Sequence, residues 1–456
     1  MFKKIGIVQV SLLSISAIVS LRNLPVFAEA GFSIVFFLLL SSVLFFFPVS
    51  MVIAELSTTW PTDGGCYIWV KNAYGKKVAL FALWASWMES VIWFPTVLIF
   101  VIKMFLFTIS PFYPGIENNN FFLIFGMVCI FWIITIINFF GIRYSAFFSS
   151  LGVLIGTIFP IILIILVGFF WIFFDNQINI RFDFNSFFPS FNLNSMVFFS
   201  SILLGFSGIE LISFHIRDIN NSGSSFIKSL FISSFLILFI YIFGSLSIAV
   251  IVPKNEICLV SGIIQALNLF FLKINFPFII PFLSFLLFVG SLASINTWMI
   301  GPSKGLLVAA KDGFFPKYLC YVNNNGAPIY LLILQALFGS FFSVIFFIYI
   351  SNINGLIWVS ICLSFQFASF LYIMIFISAI KLRNSYPNIK RAYKVPFINL
   401  ISFIGISSCF LTFLASYIQP SQIFFSEKNF YFLILFFSFL FLMSFPFLFI
   451  YFFNKK

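Results

Sequence analysis

The sequence predicts an all-α membrane protein: twelve transmembrane helices in a five-plus-five inverted repeat, with helices 1 and 6 broken. Three observations predict it. Of the 456 residues, 62% are hydrophobic and only 8% are charged, against roughly 25% charged in a soluble domain, so lipid must be the main solvent. Twelve apolar stretches are each long enough to cross hydrocarbon as a helix. The first and sixth of them carry polar residues, proline or paired glycines in mid-span.

In order, the spans are expected near 5–30, 33–56, 78–107, 121–140, 146–173, 195–214, 226–252, 277–301, 328–349, 354–380, 397–417 and 429–453. Gly65–Tyr74 and the short apolar run at Glu256–Phe271 are expected as surface helices on opposite sides. The start resembles a signal peptide, with Lys3 and Lys4 before an apolar run and Ala28-Glu29-Ala30 after it. Arg22, Asn23 and Pro25 interrupt that run, so an uncut first span is expected. With the N-terminus inside, only Lys103, Arg181, Lys254, Lys273 and Lys428 of the 24 basic residues fall outside, and Arg22 lies within the membrane. The remaining bias puts both termini in the cytoplasm of a multi-pass inner-membrane protein.

The first span reads Ser14-Ile15-Ser16-Ala17-Ile18-Val19-Ser20-Leu21-Arg22-Asn23-Leu24-Pro25, and the sixth Leu204-Gly205-Phe206-Ser207-Gly208-Ile209-Glu210. Proline and glycine weaken the helical ladder and free backbone N–H and C=O groups. Such backbone is tolerated at membrane depth only where protein or water satisfies it. Each break opens a five-helix set. An odd number of helices inverts the second set relative to the first, and interrupted helices at matching positions point to a transport site. Two independently kinked helices would leave the same pattern. The expected units are residues 1–190 (helices 1–5), 191–381 (helices 6–10) and 382–456 (two further helices).

Freed groups at a break suit a zwitterion. Amides at Ile18, Val19 and Ser20 would hold a carboxylate, and carbonyls near Ser16, Leu204 and Ser207 an ammonium. Charges within the membrane require an explanation. Arg22 lies at the first break, Glu89 beside Ser90 in the third span, and Glu210 after the second break. Arg22 either contacts an acidic substrate side chain, pairs with Glu89 or Glu210, or acts in snorkelling or gating. Trp298 in the eighth span either covers bound substrate through its ring face or packs. Glu29 and Glu55 are expected at the interface, Lys304 snorkelling to the surface, and His215, Arg217 and Asp218 at a solvated helix end.

Other classes find little footing. The six cysteines contain no C-x-x-C pair and a single histidine exists, so no metal centre or cofactor site is expected. There is no phosphate-binding G-x-x-x-x-G-K loop and no G-x-S-x-G elbow, so the chain does not read as an enzyme. The net charge of +12 reflects membrane orientation rather than nucleic-acid binding. The 76 phenylalanines read as compositional drift rather than an aromatic binding surface.

Several ordered stretches resemble the amino acid–polyamine–organocation superfamily, most closely its glutamate/γ-aminobutyrate antiporter branch. They are Pro25 with Gly31-Phe32-Ser33, Ala54-Glu55-Leu56, and Gly64-Gly65-Cys66-Tyr67-Ile68-Trp69-Val70. Beyond them come Gly208-Ile209-Glu210, Val252-Pro253-Lys254-Asn255-Glu256-Ile257 and Trp298-Met299-Ile300-Gly301-Pro302-Ser303-Lys304-Gly305. The resemblance implies the LeuT-like fold, alternating access and exchange of one amino acid for another, as a monomer or homodimer. It puts Ile18, Val19 and Ser20 in the substrate stretch and Leu204 and Ser207 at the second break. Glu210 would be the conserved glutamate, Trp298 the occluding aromatic, and Ser90 would face the site. The usual Gly-Ser-Gly of the first helix is replaced here by Ile18-Val19-Ser20. Rival readings are a uniporter or proton-coupled permease for neutral amino acids or polyamines, and a non-transporting membrane sensor.

Overall fold

In the computed structural model, residues 6–62, 64–116, 119–174, 178–190, 192–219, 223–349, 353–420 and 428–453 are described. Every regular element among them is helical. Eleven helices are long and apolar enough to cross a membrane: Gly31–Thr59, Lys76–Ile109, Asn120–Phe139, Tyr144–Phe173, Leu193–Phe214, Ser224–Ile251, Pro277–Phe314, Ile329–Ile348, Ile357–Ser385, Ile398–Ala415 and Tyr431–Phe453. They match the second to twelfth expected spans and are called segments 2 to 12. Segment 1 is different. It is a helix Ile7–Ile18, a non-helical link, and a short helix Asn23–Ala28. The eighth and tenth segments outrun their expected ends. The eighth passes straight through Pro302, because lost hydrophobicity marks where a helix leaves lipid, not where it stops.

Both breaks follow from local chemistry. The first helix ends as Val19 turns extended (φ −73°, ψ 102°), its N–H still reaching Ile15 O at 2.7 Å. The chain re-enters a helix at Asn23, and Pro25 falls within the first turn, where its missing N–H leaves no ladder bond unmade. In segment 6 the helix Leu193–Gly205 stops, and Gly208 adopts the left-handed region (φ 108°) before a 3₁₀ stretch Ile209–Asp218. A Cβ at Gly208 would lie 2.9 Å from Ala17 O and 2.9 Å from Trp298 Cζ2. Glycine is therefore required twice there, for its dihedral and for the approach of one break to the other.

Segments 5 and 8 meet backbone to backbone. A Cβ on Gly156 would sit 2.1 Å from Gly290 N, and one on Gly290 would sit 2.2 Å from Gly156 O. Gly156 lies in a π-helical turn, Leu154–Ile158, which widens that helix at the crossing. Small residues allow such contact between membrane helices.

The short helices differ from their expected roles. Cys66–Tyr74 does not lie free on the surface: Cys66, Tyr67, Trp69, Val70 and Ala73 are buried. The Tyr67 hydroxyl donates to Asp312 at 2.7 Å, and Lys71 pairs with the same carboxylate at 2.6 Å. Burial, and then that acceptor, push the Tyr67 phenol up, so it stays a neutral donor. Gly262–Lys273 is the second short helix, between segments 7 and 8. Glu55, near the end of segment 2, is not solvated. It is buried and held by Arg383, whose Nε donates at 2.8 Å and whose Nη2 also reaches it. Arg391 Nε lies 3.0 Å away as an ion pair, and the Val395 N–H donates at 2.7 Å. One arginine from the last turn of segment 10 and one from the chain beyond it close over the end of segment 2, which removes its carboxylate from water.

Gly208→Ala should lower the thermal midpoint of the detergent-purified protein, since a left-handed non-glycine residue alone costs about 1–2 kcal/mol and the methyl also collides with Ala17 and Trp298. A midpoint equal to wild type would contradict this geometry.

Candidate functional site

The two breaks face each other across a small void lined by Ala17, Ile18, Ser20, Asn23, Glu89, Trp93, Leu204, Ser207 and Trp298. Its free volume is about 10 Å³, room for one water. Of the sequence-predicted residues, Ile18, Ser20, Glu89, Leu204, Ser207 and Trp298 line it. Ser16, Val19, Arg22, Ser90 and Glu210 are buried around it without lining it.

The backbone groups at the breaks are largely taken up by side chains from other segments. Tyr241 of segment 7 is central. Its oxygen lies 2.6 Å from Ile18 O and 2.9 Å from Gly205 O, one carbonyl from each break. It also accepts from Ser20 N–H at 3.3 Å and from Asn23 Nδ2 at 3.4 Å. Trp298 Nε1 donates to Ala17 O at 2.7 Å, and its ring lies 5.3 Å from that of Trp93 at 30°. Tyr372 of segment 10 donates to Glu210 Oε2 at 2.5 Å and accepts from the Gly208 N–H at 2.9 Å. The expected amide cradle at Ile18–Ser20 is corrected by these contacts. The Val19 N–H is bonded to Ile15 and the Ser20 N–H to Tyr241. Among the described residues the Leu21 and Arg22 amides are the ones at this break without an acceptor.

The charged residues are arranged unlike one of the expected pairings. Arg22 pairs with neither Glu89 nor Glu210. It is 2% exposed, Nη2 donates to Asn23 Oδ1 at 2.9 Å, and Nε and Nη1 have no partner. The carboxylates find hydroxyl donors instead. Ser207 donates to Glu89 Oε1 and Tyr372 to Glu210, so neither turns to the guanidinium. Glu89 Oε2 and Glu210 Oε1 are unpaired and buried.

Behind the first break runs a buried polar chain. Ser16 Oγ lies 2.9 Å from Thr297 Oγ1, which reaches Ser149 Oγ at 3.1 Å. Asn296 Nδ2 donates to Ser149 Oγ at 2.8 Å, and its Oδ1 accepts from Asn138 at 2.9 Å. Ser90 Oγ bonds back to Trp87 O at 2.7 Å, so it does not face the void. Lys304 does not snorkel to open water: its Nζ donates to Phe214 O at 3.2 Å, within the 3₁₀ stretch of segment 6. Arg217 Nε donates to Pro61 O at 3.2 Å. The side chains of His215 and Asp218 lie outside those described.

Sequence reasoning missed Tyr241, Tyr372 and Trp93. Tyr241 and Tyr372 are the one tyrosine in segments 7 and 10, and each offered a usable signal, a hydroxyl in mid-span that must find a partner; Trp93 is one of three tryptophans in segment 3 and offered none.

A helical bundle with two interrupted segments meeting at a polar void inside an apolar shell defines a membrane transporter. The chain belongs to the amino acid permease family, whose sequence profile matches residues 5–440. It is similar to an uncharacterized transporter of Legionella pneumophila, 36% identical over 426 residues, 92% of this chain and 91% of the relative. It is also similar to a glutamate/gamma-aminobutyrate antiporter of Lactococcus lactis, 25% identical over 446 residues, 96% and 88% of the two chains. A Lactococcus lactis protein named a probable agmatine/putrescine antiporter is 25% identical over 371 residues, 81% and 77%.

Tyr372→Phe removes the donor to Glu210 and the acceptor for Gly208. It should lower stability by about 1–3 kcal/mol, the penalty for orphaning a buried polar group, read as a lower thermal midpoint in detergent. An unchanged midpoint would mean that another group satisfies Glu210.

Proposed function

We propose that the chain is an amino-acid exchanger of the bacterial inner membrane, working by alternating access around the two breaks. Segment 1, counted with the eleven long helices, makes twelve spans. Residues 1–190 and 191–381 are then inverted halves, 382–456 adds two helices, and the basic-residue bias puts both ends in the cytoplasm. The observation that carries the reading is the convergence of Ile18 O and Gly205 O, one carbonyl from each break, on the Tyr241 hydroxyl.

A zwitterion needs acceptors for its ammonium and donors for its carboxylate. Ala17, Ile18 and Gly205 carbonyls and the unpaired oxygen of Glu89 supply acceptors. The Leu21 and Arg22 amides and Asn23 supply donors. Ser207 aims Glu89, while Trp298 and Trp93 wall the void. Ser16, Val19, Ser90 and Glu210 act from behind these groups. Arg22 favours a substrate with a second carboxylate. A buried guanidinium with two unpaired nitrogens is strongly destabilising until an anion meets it, and no carboxylate among the described residues does. The antiporter named for glutamate and gamma-aminobutyrate among the relatives agrees with that preference. A void of about 10 Å³ is smaller than any amino acid, so loading requires the break segments to part.

Counterflow in proteoliposomes tests exchange. Labelled glutamate or γ-aminobutyrate should accumulate only in vesicles loaded with unlabelled amino acid. Equal uptake into empty vesicles would replace exchange by uniport or symport, and binding without uptake would favour a sensor. Arg22→Ala should weaken glutamate about tenfold or more, the worth of a charge-assisted hydrogen bond, while leaving a neutral substrate within about twofold. Equal losses for both would assign Arg22 to the scaffold.

A further inference from the structure

A phenol has one hydroxyl hydrogen. Tyr241 places its oxygen within hydrogen-bond distance of two carbonyls, Ile18 at 2.6 Å and Gly205 at 2.9 Å. It can donate to only one of them at a time. Its lone pairs meanwhile receive Ser20 N–H and Asn23 Nδ2. The ring cannot move far. Phe27 and Phe206 pack edge-on against it, at 5.2 and 5.6 Å between centroids, and the residue is fully buried. A fixed oxygen with a rotatable hydrogen therefore stands between the two breaks.

We propose that Tyr241 is a positioning residue that couples the breaks through this one shared hydrogen. An ammonium arriving at either carbonyl takes it over, and the hydroxyl rotates to donate to the other. Binding then leaves no carbonyl orphaned, and both breaks stay registered on one oxygen whether the amine sits at the first or the second. Ser20 and Asn23 keep donating to that oxygen throughout, so the segment that carries Arg22 follows the same pivot. No bond is made or broken covalently, and no proton leaves the phenol. The inference rests on the reading that the substrate's ammonium is received at the breaks.

The test uses Tyr241→Phe, with Tyr241→Met as a second variant lacking the hydroxyl but filling the ring's space with a flexible chain. Both are reconstituted as full-length protein and assayed for counterflow beside wild type. Competition by the amino acid is compared with competition by its deaminated analogue, glutarate for glutamate. Without the hydroxyl both carbonyls stand unpaired, so a ligand bearing an ammonium gains more than one lacking it. The ratio of the inhibition constants, analogue over amino acid, should rise about fivefold to tenfold, one hydrogen bond's worth. The maximal exchange rate should fall about tenfold as the breaks lose their common anchor. A structural role alone would lower rate and recovery without moving the ratio. An unchanged ratio in the variant that is recovered folded, or an exchange rate equal to wild type, overturns the proposal. Failure of wild type itself to exchange any amino acid would overturn the transport reading instead, so the two failures are distinguishable.

Discussion

Backbone groups released inside a bilayer have no water to turn to, and each must be paired by protein. This chain releases them at two places and meets most of them with the polar tips of aromatic side chains, leaving the Leu21 and Arg22 amides without an acceptor. Tyr241 serves Ile18, Gly205 and Ser20, Trp298 serves Ala17, and Tyr372 serves Gly208. These rings come from segments 7, 8 and 10 and present an apolar body to their neighbours with a single donor or acceptor at the end. The breaks persist because three other helices stand around them. Their geometry is thus a property of the bundle, not of the interrupted segments alone.

Charge is handled in two opposite ways. At the end of segment 2, Glu55 meets Arg383, Arg391 and a backbone N–H, and Asp312 meets Lys71, Lys76 and Tyr67. These clusters are closed. Around the void, Arg22, Glu89 and Glu210 each keep unpaired polar atoms although all three are buried. Half-satisfied charges in a low dielectric are destabilising, and these three lie where the two interrupted segments meet. The coincidence of the two features is what the proposed site rests on.

Much of this was legible in the sequence. Pro25 after Ser16–Asn23, and Gly205 and Gly208 around Ser207, disclosed both breaks because proline and glycine act locally. Hydropathy disclosed the long helices for the same reason. The partners of the breaks were not legible. Tyr241 is more than 200 residues from Ile18 and carries no mark of that contact. Arg22 and Glu89 were visible as charges in apolar spans, but their pairing was not, because a carboxylate accepts equally from a nearby hydroxyl and from a guanidinium. Glu55 reads as a span end until the chain beyond segment 10 folds over it. Lys304 likewise reads as a snorkelling end, because its acceptor, the Phe214 carbonyl, lies about ninety residues away in the 3₁₀ stretch of segment 6.

The glycine crossing of segments 5 and 8 carries a mechanical implication. With main chain touching main chain at Gly156 and Gly290, no side chain lies between them to flex, shear or change rotamer. The pair behaves as a riveted strut, and any tilt of one drags the other along. Compliance would then reside in the interrupted segments, whose links at Val19–Arg22 and Phe206–Gly208 are non-helical.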